Sequence, residues 1–466
     1  MAAADWPYLE LLDIGRLIRS REVSSVEVTR AQLERIGRLD GRLKSYVTVM
    51  ADSAQAEAER ADGEIAAGAV RGPLHGVPLA VKDLCWTRGV PTAAGMAIHR
   101  DFRPAEDATV VRRLREAGAV LLGKLQLTEG AYIEYAPGVT PPVNPWNEAY
   151  WAGASSSGPG VATAAGLCYG SLGSDTGGSI RCPSAVNGCT GIKPTWGRVS
   201  RHGVFELAAT LDHIGPMARS AADAAALLGV LAGADPQDPT ASHAPVPDYL
   251  AAMTGGLRGL RIGVDPDWNA RQVEAPVAAM LAAVMQVVTD LGGELRQVAF
   301  PDPEAVIADW FPLCGIEAAV AHEKTYPARR DEYGPGLAGI IELGRAQSAL
   351  DYQRIVLRRQ DFRGRLAALF TEVDLLLLPA LGVSAPTLAR MEGIGEDADL
   401  ISGLLRYTCP FDMSGSPTLT LPGGFTAEGT PEAFQFAARD FGEDLLVRAG
   451  WAFQQATDWH RRHPPL

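Results

Sequence analysis

The sequence of 466 residues predicts an α/β protein built around one large mixed β-sheet. Short apolar runs alternate with segments of helical periodicity along the chain, which is the pattern that this fold class produces. The composition, 47% hydrophobic and 21% charged, is that of an ordinary globular protein. No internal repeat or low-complexity segment interrupts the alternation. A chain of this length can bury a large core without dividing into separate domains.

The first seventy residues are predicted to be helical. Leu11, Ile14 and Ile18 recur at helical spacing, and Ser25 is suited to cap a second helix with one apolar face. An alanine-rich segment over 53–67 predicts a third helix.

The central part of the chain is predicted to alternate between strands and helices. The predicted elements are strands at 77–81, at 120–122 and up to about 173, and helices at 106–117, at 160–167 and directly after 179. Residues 130–152 are rich in Pro, Gly, Tyr and Trp and predict a long irregular loop. Loops of that length in a compact domain are usually functional.

The alternation pauses at 234–248, where prolines and aspartates cluster, and then resumes. The later predicted elements are strands at 260–264, 294–300, 375–381, 417–422 and 434–439, and helices at 275–291 and 443–458.

Charge and cysteine content restrict the partners and the compartment. The net charge of −13 argues against nucleic acid as the main partner. Six cysteines without C-x-x-C spacing favour reduced thiols in a cytoplasmic protein. No apolar run approaches 18 residues and no signal-peptide pattern opens the sequence, so we expect no membrane association.

Two serine-containing segments and one lysine carry the candidate chemistry. The run Gly-Ser-Asp-Thr-Gly-Gly-Ser-Ile-Arg ends at Arg181 and contains Ser179 after two glycines. Such a segment can turn several backbone N–H groups towards one point, where they stabilise an oxyanion. Ser155 lies 24 residues before Ser179 in a cluster of three serines, and Lys82 ends the apolar run at 77–81. These are the components of a serine hydrolase that uses no histidine.

Other interpretations of these residues are open at this point. A serine in a glycine-rich loop is commonly a turn residue, and a lysine at the end of a strand can extend to solvent. The segment from Gly118 to Lys124 begins like a phosphate-binding loop, but Leu125 replaces the required Ser or Thr. No Gly-x-Ser-x-Gly elbow surrounds Ser155 or Ser179, which disfavours a Ser-His-Asp triad. No residues have metal-ligand spacing, so we expect neither a metal nor a cofactor.

The sequence resembles the amidase signature family, which hydrolyses amide and related C–N bonds. The resemblance is dense over 72–220 and loose over 240–400. Besides the serine and lysine segments, it includes Gly-Ile-Lys-Pro-Thr-Trp-Gly-Arg at 191–198, Asp-His-Ile-Gly-Pro-Met-Ala-Arg at 212–219, Pro410-Phe411, Ser416-Pro417 and the last helix.

The resemblance implies one amidase domain over 1–466, with helices on both faces of its sheet. Its expected parts are N-terminal helices at 1–70, a signature core at 72–220, a variable substrate-facing region at 240–400, and a return to the core at 408–466.

The resemblance also implies a Ser-cisSer-Lys triad in which Ser179 is the nucleophile, Ser155 the bridging serine and Lys82 the base. The remaining expected site residues are an oxyanion hole of Thr176, Gly177, Gly178 and Ser179, structural support from Asp175, Arg181 and Ser156, and substrate contacts from Gly130, Tyr132 and Tyr135. Cys85 and Phe311 are weaker candidates for the pocket. Because a lysine with its ordinary pKa of about 10.4 is a poor base, Lys82 should be buried.

Several positions depart from the family pattern. Ala154 and Pro159 border the serine cluster where small glycine-type residues are usual, and Gln126 and Thr128 replace Asn and His. We therefore expect a small amide or carbamate substrate, but the sequence does not determine whether its substituent is aryl or alkyl. An ester substrate is a further alternative. The favoured function is a free-standing amidase. The alternatives are the glutaminase subunit of a tRNA-dependent amidotransferase and an inactive binding protein on the same fold, and a homodimer is left open.

Overall fold

The computed structural model describes residues 3–466, whose 11 strands form one sheet. The strands are β1 (Tyr46–Val49), β2 (Pro78–Lys82), β3 (Val120–Leu125), β4 (Gly170–Asp175), β5 (Thr190–Lys193), β6 (His213–Ala218), β7 (Arg261–Val264), β8 (Glu294–Gln297), β9 (Leu375–Pro379), β10 (Thr418–Phe425) and β11 (Pro431–Ala438). The α-helices are α1 (Leu11–Arg19), α2 (Ser25–Leu43), α3 (Ala51–Ala66), α4 (Thr109–Glu116), α5 (Ser157–Ala164), α6 (Arg181–Asn187), α7 (Ala221–Leu231), α8 (Pro266–Asn269), α9 (Ala275–Asp290), α10 (Glu304–Ala321), α11 (Tyr326–Arg329), α12 (Pro335–Arg345), α13 (Ala349–Glu372), α14 (Leu388–Glu392), α15 (Ala398–Leu405), α16 (Cys409–Ser414) and α17 (Glu443–Ala456). Short 3-10 helices lie at Ala3–Tyr8, Ala97–His99, Glu129–Ala131, Arg330–Glu332, Ile394–Glu396 and Trp459–Arg461.

The strand order is β1-β3-β2-β4-β6-β5-β10-β11-β9-β7-β8. Strand β2 is parallel to β3 and β4, β7 is parallel to β8 and β9, and the other neighbouring pairs are antiparallel. The sheet is therefore mixed, as the sequence predicts. The chain continues through the break at 234–248 into the same sheet, because β10 and β11 lie between β5 and β9.

Both faces of the sheet are covered. Leu79 and Val81 of β2 belong to one hydrophobic core, whereas Ala80 between them packs with Val120 and Leu122 in a second. Successive residues of a strand point to opposite faces, so the two cores lie on opposite sides of the sheet. This confirms the expected fold class, and it explains why strands buried on both faces are continuous apolar runs in the sequence.

The second helix begins one residue earlier than the sequence suggests. Ser24, rather than Ser25, is its N-cap: the Ser24 hydroxyl accepts a hydrogen bond from the Glu27 N–H at 3.1 Å. The Glu27 carboxylate accepts from the Ser24 N–H at 2.8 Å, which completes a capping box. Ser25 instead lies inside the helix, and its hydroxyl donates to the Gly76 carbonyl at 2.7 Å.

The region from 304 to 405 contributes a helical layer that the sequence did not predict. Helices α10 and α12 approach closely at Gly315 and Gly344, where an added Cβ would clash with the facing backbone. Close approach of this kind requires glycine on both helices. Part of the predicted loop at 130–152 lies under this layer, and apart from the turn at Glu129–Ala131 it is irregular, as predicted.

All six cysteines are buried and unpaired in the described residues. Between residues 3 and 466, no single helix is long and apolar enough to cross a membrane. One pair of helices, Glu304–Ala321 and Tyr326–Glu332, has the length and composition when taken together, but it is bent by 86° and Trp310 and Leu313 of its first helix are core residues.

Candidate active site

Two parallel strands end side by side at the site. Lys82 is the last residue of β2, and Asp175 is the last residue of β4, which pairs with β2 in parallel. The carboxyl ends of parallel strands meet at one edge of a sheet, where α/β proteins place their ligands. Ser155 lies just before α5 and Ser179 just before α6, so both serines reach the same edge.

Lys82 is fully buried and surrounded by hydroxyl groups. Its Nζ atom donates to Ser155 Oγ at 2.7 Å, to Ser156 Oγ at 2.9 Å and to Ser174 Oγ at 2.8 Å. Among the described residues, no carboxylate forms an ion pair with it. Burial therefore lowers the pKa of Lys82 from its ordinary value to about 7. A lysine in this state can accept a proton near neutral pH.

The three consecutive serines have different partners. The Ser157 hydroxyl accepts from the Tyr135 hydroxyl at 2.6 Å, and the Ser156 hydroxyl donates to the Ser174 carbonyl at 3.1 Å. Within the described chain, the Ser155 hydroxyl forms a hydrogen bond only with Lys82. The peptide bond between Ala154 and Ser155 is cis. Of the three, Ser155 is the serine whose proton is free to be passed on.

Asp175 organises the loop that carries Ser179. Its carboxylate accepts from the N–H groups of Gly178 at 2.7 Å and Ile180 at 2.9 Å, and from the Arg181 guanidinium at 2.8 and 3.1 Å. Burial alone would raise the pKa of Asp175, but the adjacent Arg181 charge holds it well below the usual range. Asp175 and Arg181 are therefore joined to each other and to the backbone of this loop.

Arg181 also joins this loop to the C-terminal part of the chain. Its guanidinium donates to Asp412 at 2.5 Å and to the Thr408 carbonyl at 2.7 Å. Burial raises the pKa of Asp412 well above its ordinary value. Both acids and the arginine are fully buried, so the three groups form one hydrogen-bonded cluster behind the Ser179 loop.

The expected oxyanion hole is only partly available. The N–H of Gly178 already donates to Asp175, which corrects the prediction for that residue. In the described chain, the N–H groups of Thr176, Gly177 and Ser179 make no hydrogen bond. Gly178 has a φ of +126°, a conformation that glycine alone adopts readily. Three backbone N–H groups of this loop, those of Thr176, Gly177 and Ser179, therefore remain without an acceptor in the described chain.

Ser179 opens onto a cavity of about 400 Å³ whose walls are mainly apolar. Glu134 is the only ionisable carboxylate in the lining, and the described lining contains no Lys, Arg or His. The remaining lining residues are Ala131, Tyr132, Ile133, Trp151, Ala154, Thr176, Gly177, Gly178, Cys182, Leu207, Trp310, Phe311, Pro335, Gly336, Gly339, Ile340, Leu343, Ile394, Gly395, Ile401, Leu404 and Leu405. Most of these side chains come from the helical layer over 304–405.

The predicted substrate contacts divide into two groups. Tyr132 and Phe311 line the cavity, whereas Gly130, Tyr135 and Cys85 do not. The Gly130 N–H donates to the Ala94 carbonyl at 2.9 Å, and Leu337 packs against Gly130. Gly130 therefore lies behind the residues that form the cavity wall. Tyr135 is turned away because its hydroxyl binds Ser157. These three residues correct the prediction.

Sequence reasoning missed four residues that contact the site. Ser174 binds Lys82, Asp412 binds Arg181, and Trp310 and Thr408 contact the loop that carries Ser179. Ser174 could have been found, because it belongs to the same Gly-Ser-Asp-Thr-Gly-Gly-Ser-Ile-Arg run as Ser179. Trp310 and Thr408 lie outside any recognisable motif.

The sequence and the fold both match known amidases. A family model described as Amidase matches residues 27–447. The chain belongs to the amidase family. It is a C–N hydrolase that acts on amides.

Relatives of this amidase cover nearly its whole length. It is 54% identical to "Putative amidase AmiD" of Mycobacterium tuberculosis over 461 residues, which is 98% of this chain and 96% of that protein. It is 38% identical to one subunit of the glutamyl-tRNA(Gln) amidotransferase of Roseiflexus sp. over 98% of each chain. Among solved structures, the peptide amidase PAM in complex with chymostatin superposes with a TM-score of 0.82 at 30% identity, covering 98% of the amidase and 99% of PAM.

Proposed function

We propose that this amidase is a free-standing hydrolase of neutral, apolar amides, with Ser179 as nucleophile, Ser155 as proton relay and Lys82 as base. One observation carries the proposal: a buried lysine without a carboxylate partner donates to Ser155, in the segment that adjoins Ser179. Ala154 lines the apolar cavity together with Ser179, and the Ser156 N–H donates to the Ser179 carbonyl at 3.3 Å. Burial keeps Lys82 partly uncharged near pH 7, which is the state that a base requires.

The acylation step uses these groups in order. Ser179 Oγ attacks the carbonyl carbon while its proton passes to Ser155 Oγ, and the Ser155 proton passes to Lys82 Nζ. The electron pair of the carbonyl moves to its oxygen, which the free N–H groups of Thr176, Gly177 and Ser179 stabilise. The C–N bond then breaks, and the leaving nitrogen takes a proton from Ser155, which Lys82 replaces.

Water completes the cycle through the same relay. It attacks the acyl carbon of the Ser179 ester, and its proton passes through Ser155 to Lys82. Collapse of the second tetrahedral intermediate returns that proton to Ser179 Oγ and releases the acid. Neither half-reaction requires a group beyond the relay and the loop amides.

The cavity wall supports an apolar substrate. Glutamine carries a carboxylate and an ammonium group, and burying either charge without a partner is costly. Among the lining residues, Glu134 is the only charged side chain, so nothing in the wall pairs with a carboxylate. Alkyl or aryl amides instead match the aliphatic and aromatic lining. Esters and carbamates with the same apolar groups fit the same cavity.

A series of straight-chain amides from acetamide to hexanamide tests the proposal on the purified chain. Each buried methylene contributes about 0.8 kcal/mol, so kcat/KM should rise roughly fourfold per added carbon until the cavity is filled. L-Glutamine is the matched polar amide and should not be hydrolysed measurably. Turnover of glutamine with no preference for apolar amides would instead support the glutaminase alternative. The 38% identity to an amidotransferase subunit is the reason for including that alternative in the test.

A fluorophosphonate probe separates the enzyme from an inactive binding protein. The wild-type chain should be labelled at Ser179, and Ser179→Ala should not be labelled. An unlabelled but folded wild-type protein would contradict the proposed nucleophile.

A further inference from the structure

Trp310 of helix α10 contacts the nucleophile loop through its ring and through its indole N–H. Its Nε1 donates to the Thr176 carbonyl at 2.7 Å. The ring lies against Gly177, where an added Cβ would be 2.5 Å from the indole. The side chain is 6% exposed, and Phe311 meets it edge-to-face at 5.0 Å. The indole is therefore held in one place, directly on the loop.

The hydrogen bond fixes the orientation of one peptide group. In a trans peptide, the carbonyl of one residue and the N–H of the next point to opposite sides of the same rigid plane. Holding the Thr176 carbonyl against the indole therefore turns the Gly177 N–H the other way. That N–H has no acceptor in the described chain, and Gly177 lines the cavity beside Ser179.

The next peptide plane is fixed from two sides. The Thr408 hydroxyl donates to the Gly177 carbonyl at 2.7 Å, and the Gly178 N–H on the opposite edge donates to Asp175 at 2.7 Å. The Gly178 N–H of this plane is therefore not available to donate to a substrate. The Gly177 N–H is different because only its carbonyl side is held, by Trp310.

We infer that Trp310 is a positioning residue that aims the Gly177 N–H at the substrate oxyanion. The inference rests on the proposed Ser179 chemistry and goes beyond it, because it assigns part of the oxyanion hole to a side chain from the variable region. The helical layer then does more than form the cavity wall: it also sets the geometry of the reaction centre. The same indole contacts the loop and forms part of the cavity wall.

Trp310→Phe tests this role, because it keeps an aromatic ring on Gly177 and removes the donor. Loss of one oxyanion donor typically lowers kcat by about 100- to 1,000-fold, so misdirecting one should lower it roughly 10- to 100-fold. KM for a straight-chain amide should change less than about twofold, because ground-state packing is retained. Affinity for an alkyl boronic acid, which forms a tetrahedral adduct with the nucleophile, should fall by the same factor as kcat/KM.

Trp146→Phe is the matched control. Trp146 Nε1 also donates to a backbone carbonyl, that of Asn187, at 2.8 Å, but Trp146 does not line the cavity. This variant should keep the wild-type kcat and boronate affinity. If Trp310→Phe fails to fold, site-specific replacement of Trp310 by 3-benzothienylalanine removes the same N–H while keeping the ring size.

The outcomes separate the two proposals. An active wild-type enzyme whose Trp310 variants keep full kcat would overturn the positioning role alone. A variant with raised KM and unchanged kcat would also overturn it, since it would show that Trp310 acts only through packing. A wild-type chain inactive on every amide would instead contradict the proposed function.

Discussion

Ser155 and Ser156 are adjacent and both accept a hydrogen bond from Lys82 Nζ, at 2.7 and 2.9 Å, but only Ser156 also donates to a backbone carbonyl. The proton of Ser156 is therefore engaged by Ser174, whereas the proton of Ser155 is available. The two hydroxyls lie at nearly the same distance from the Lys82 amine, but only the Ser155 hydroxyl has a proton that it can transfer.

Separate alanine variants of these serines should have very different activities. Ser155→Ala removes the proposed relay, and we expect kcat to fall by about 1,000-fold or more, within the range for loss of general acid–base catalysis. Ser156→Ala should lower kcat by about tenfold or less and should lower the Tm, because it removes a buried bond to Ser174. Steady-state kinetics and thermal unfolding measure both effects. Ser157→Ala is the control, and equal losses of activity at 155 and 156 would contradict the assignment.

The pH dependence of kcat/KM reports the protonation of Lys82. Burial lowers its pKa to about 7, and only the uncharged amine can accept the Ser155 proton. Activity on an uncharged amide should therefore rise with pH through about 7 and reach a plateau above pH 8. Initial rates measured from about pH 5 to about pH 11 test this. A midpoint near pH 10 would mean that the lysine is not desolvated, and activity that falls over the same range would contradict its role as a base.

The same buried lysine should lower the free energy of unfolding at neutral pH. Its pKa is about 7 in the folded chain and 10.5 in its ordinary state, so between these values the unfolded chain binds more protons and stability rises with pH. The loss of unfolding free energy caused by burying Lys82 is near its maximum at pH 7, on the order of 4 kcal/mol, and it disappears above about pH 10.5.

Lys82→Met should reveal this penalty. The stability of the variant relative to wild type should be higher at pH 7 than at pH 10 by about 3 kcal/mol, because methionine does not titrate. Urea unfolding at the two pH values gives the difference. Lys324→Met, at an exposed lysine, is the control and should show almost no such change. A pH-independent difference between Lys82→Met and wild type would contradict a desolvated lysine.

Arg181 should contribute strongly to stability. Arg181→Leu leaves the buried Asp175 carboxylate without its counter-charge and removes the guanidinium donor to Asp412, and breaking a buried ion pair in this way costs about 3–5 kcal/mol. The exposed pair of Arg365 and Asp361 offers the comparison, because Arg365→Leu should cost less than about 1 kcal/mol. Chemical denaturation of both variants measures the contrast. Equal losses would mean that the buried cluster is not a structural unit.

Strands with an unambiguous apolar pattern could be predicted from the sequence. The segments ending at Lys82 and beginning at Leu375 are short apolar runs between breakers, and both are central strands. Strands β1, β5 and β6 were missed because they are short or contain polar and proline residues, so that pairing partners rather than pattern decide them. The helical layer was missed because α10 is apolar around its whole circumference and carries a proline.

The candidate site could be predicted where each residue lies within a short motif. Lys82, Ser155, Ser179, Asp175 and Arg181 come from short motifs, and the chain brings them together. Trp310 and Thr408 reach the loop from more than a hundred residues away, so no local pattern reveals them. Which N–H groups are free also depends on tertiary bonds, such as the one between Gly178 and Asp175.

The placement of the β10–β11 hairpin has a consequence for biosynthesis. Its residues, 418–438, are translated after every other strand, yet they lie between β5 and β9. Until they leave the ribosome, β5 and β9 present bare edges with unpaired backbone groups, which are templates for association with other chains. A chain truncated before this hairpin would therefore leave both edges unpaired, and we expect such a fragment to aggregate more readily than the full-length chain.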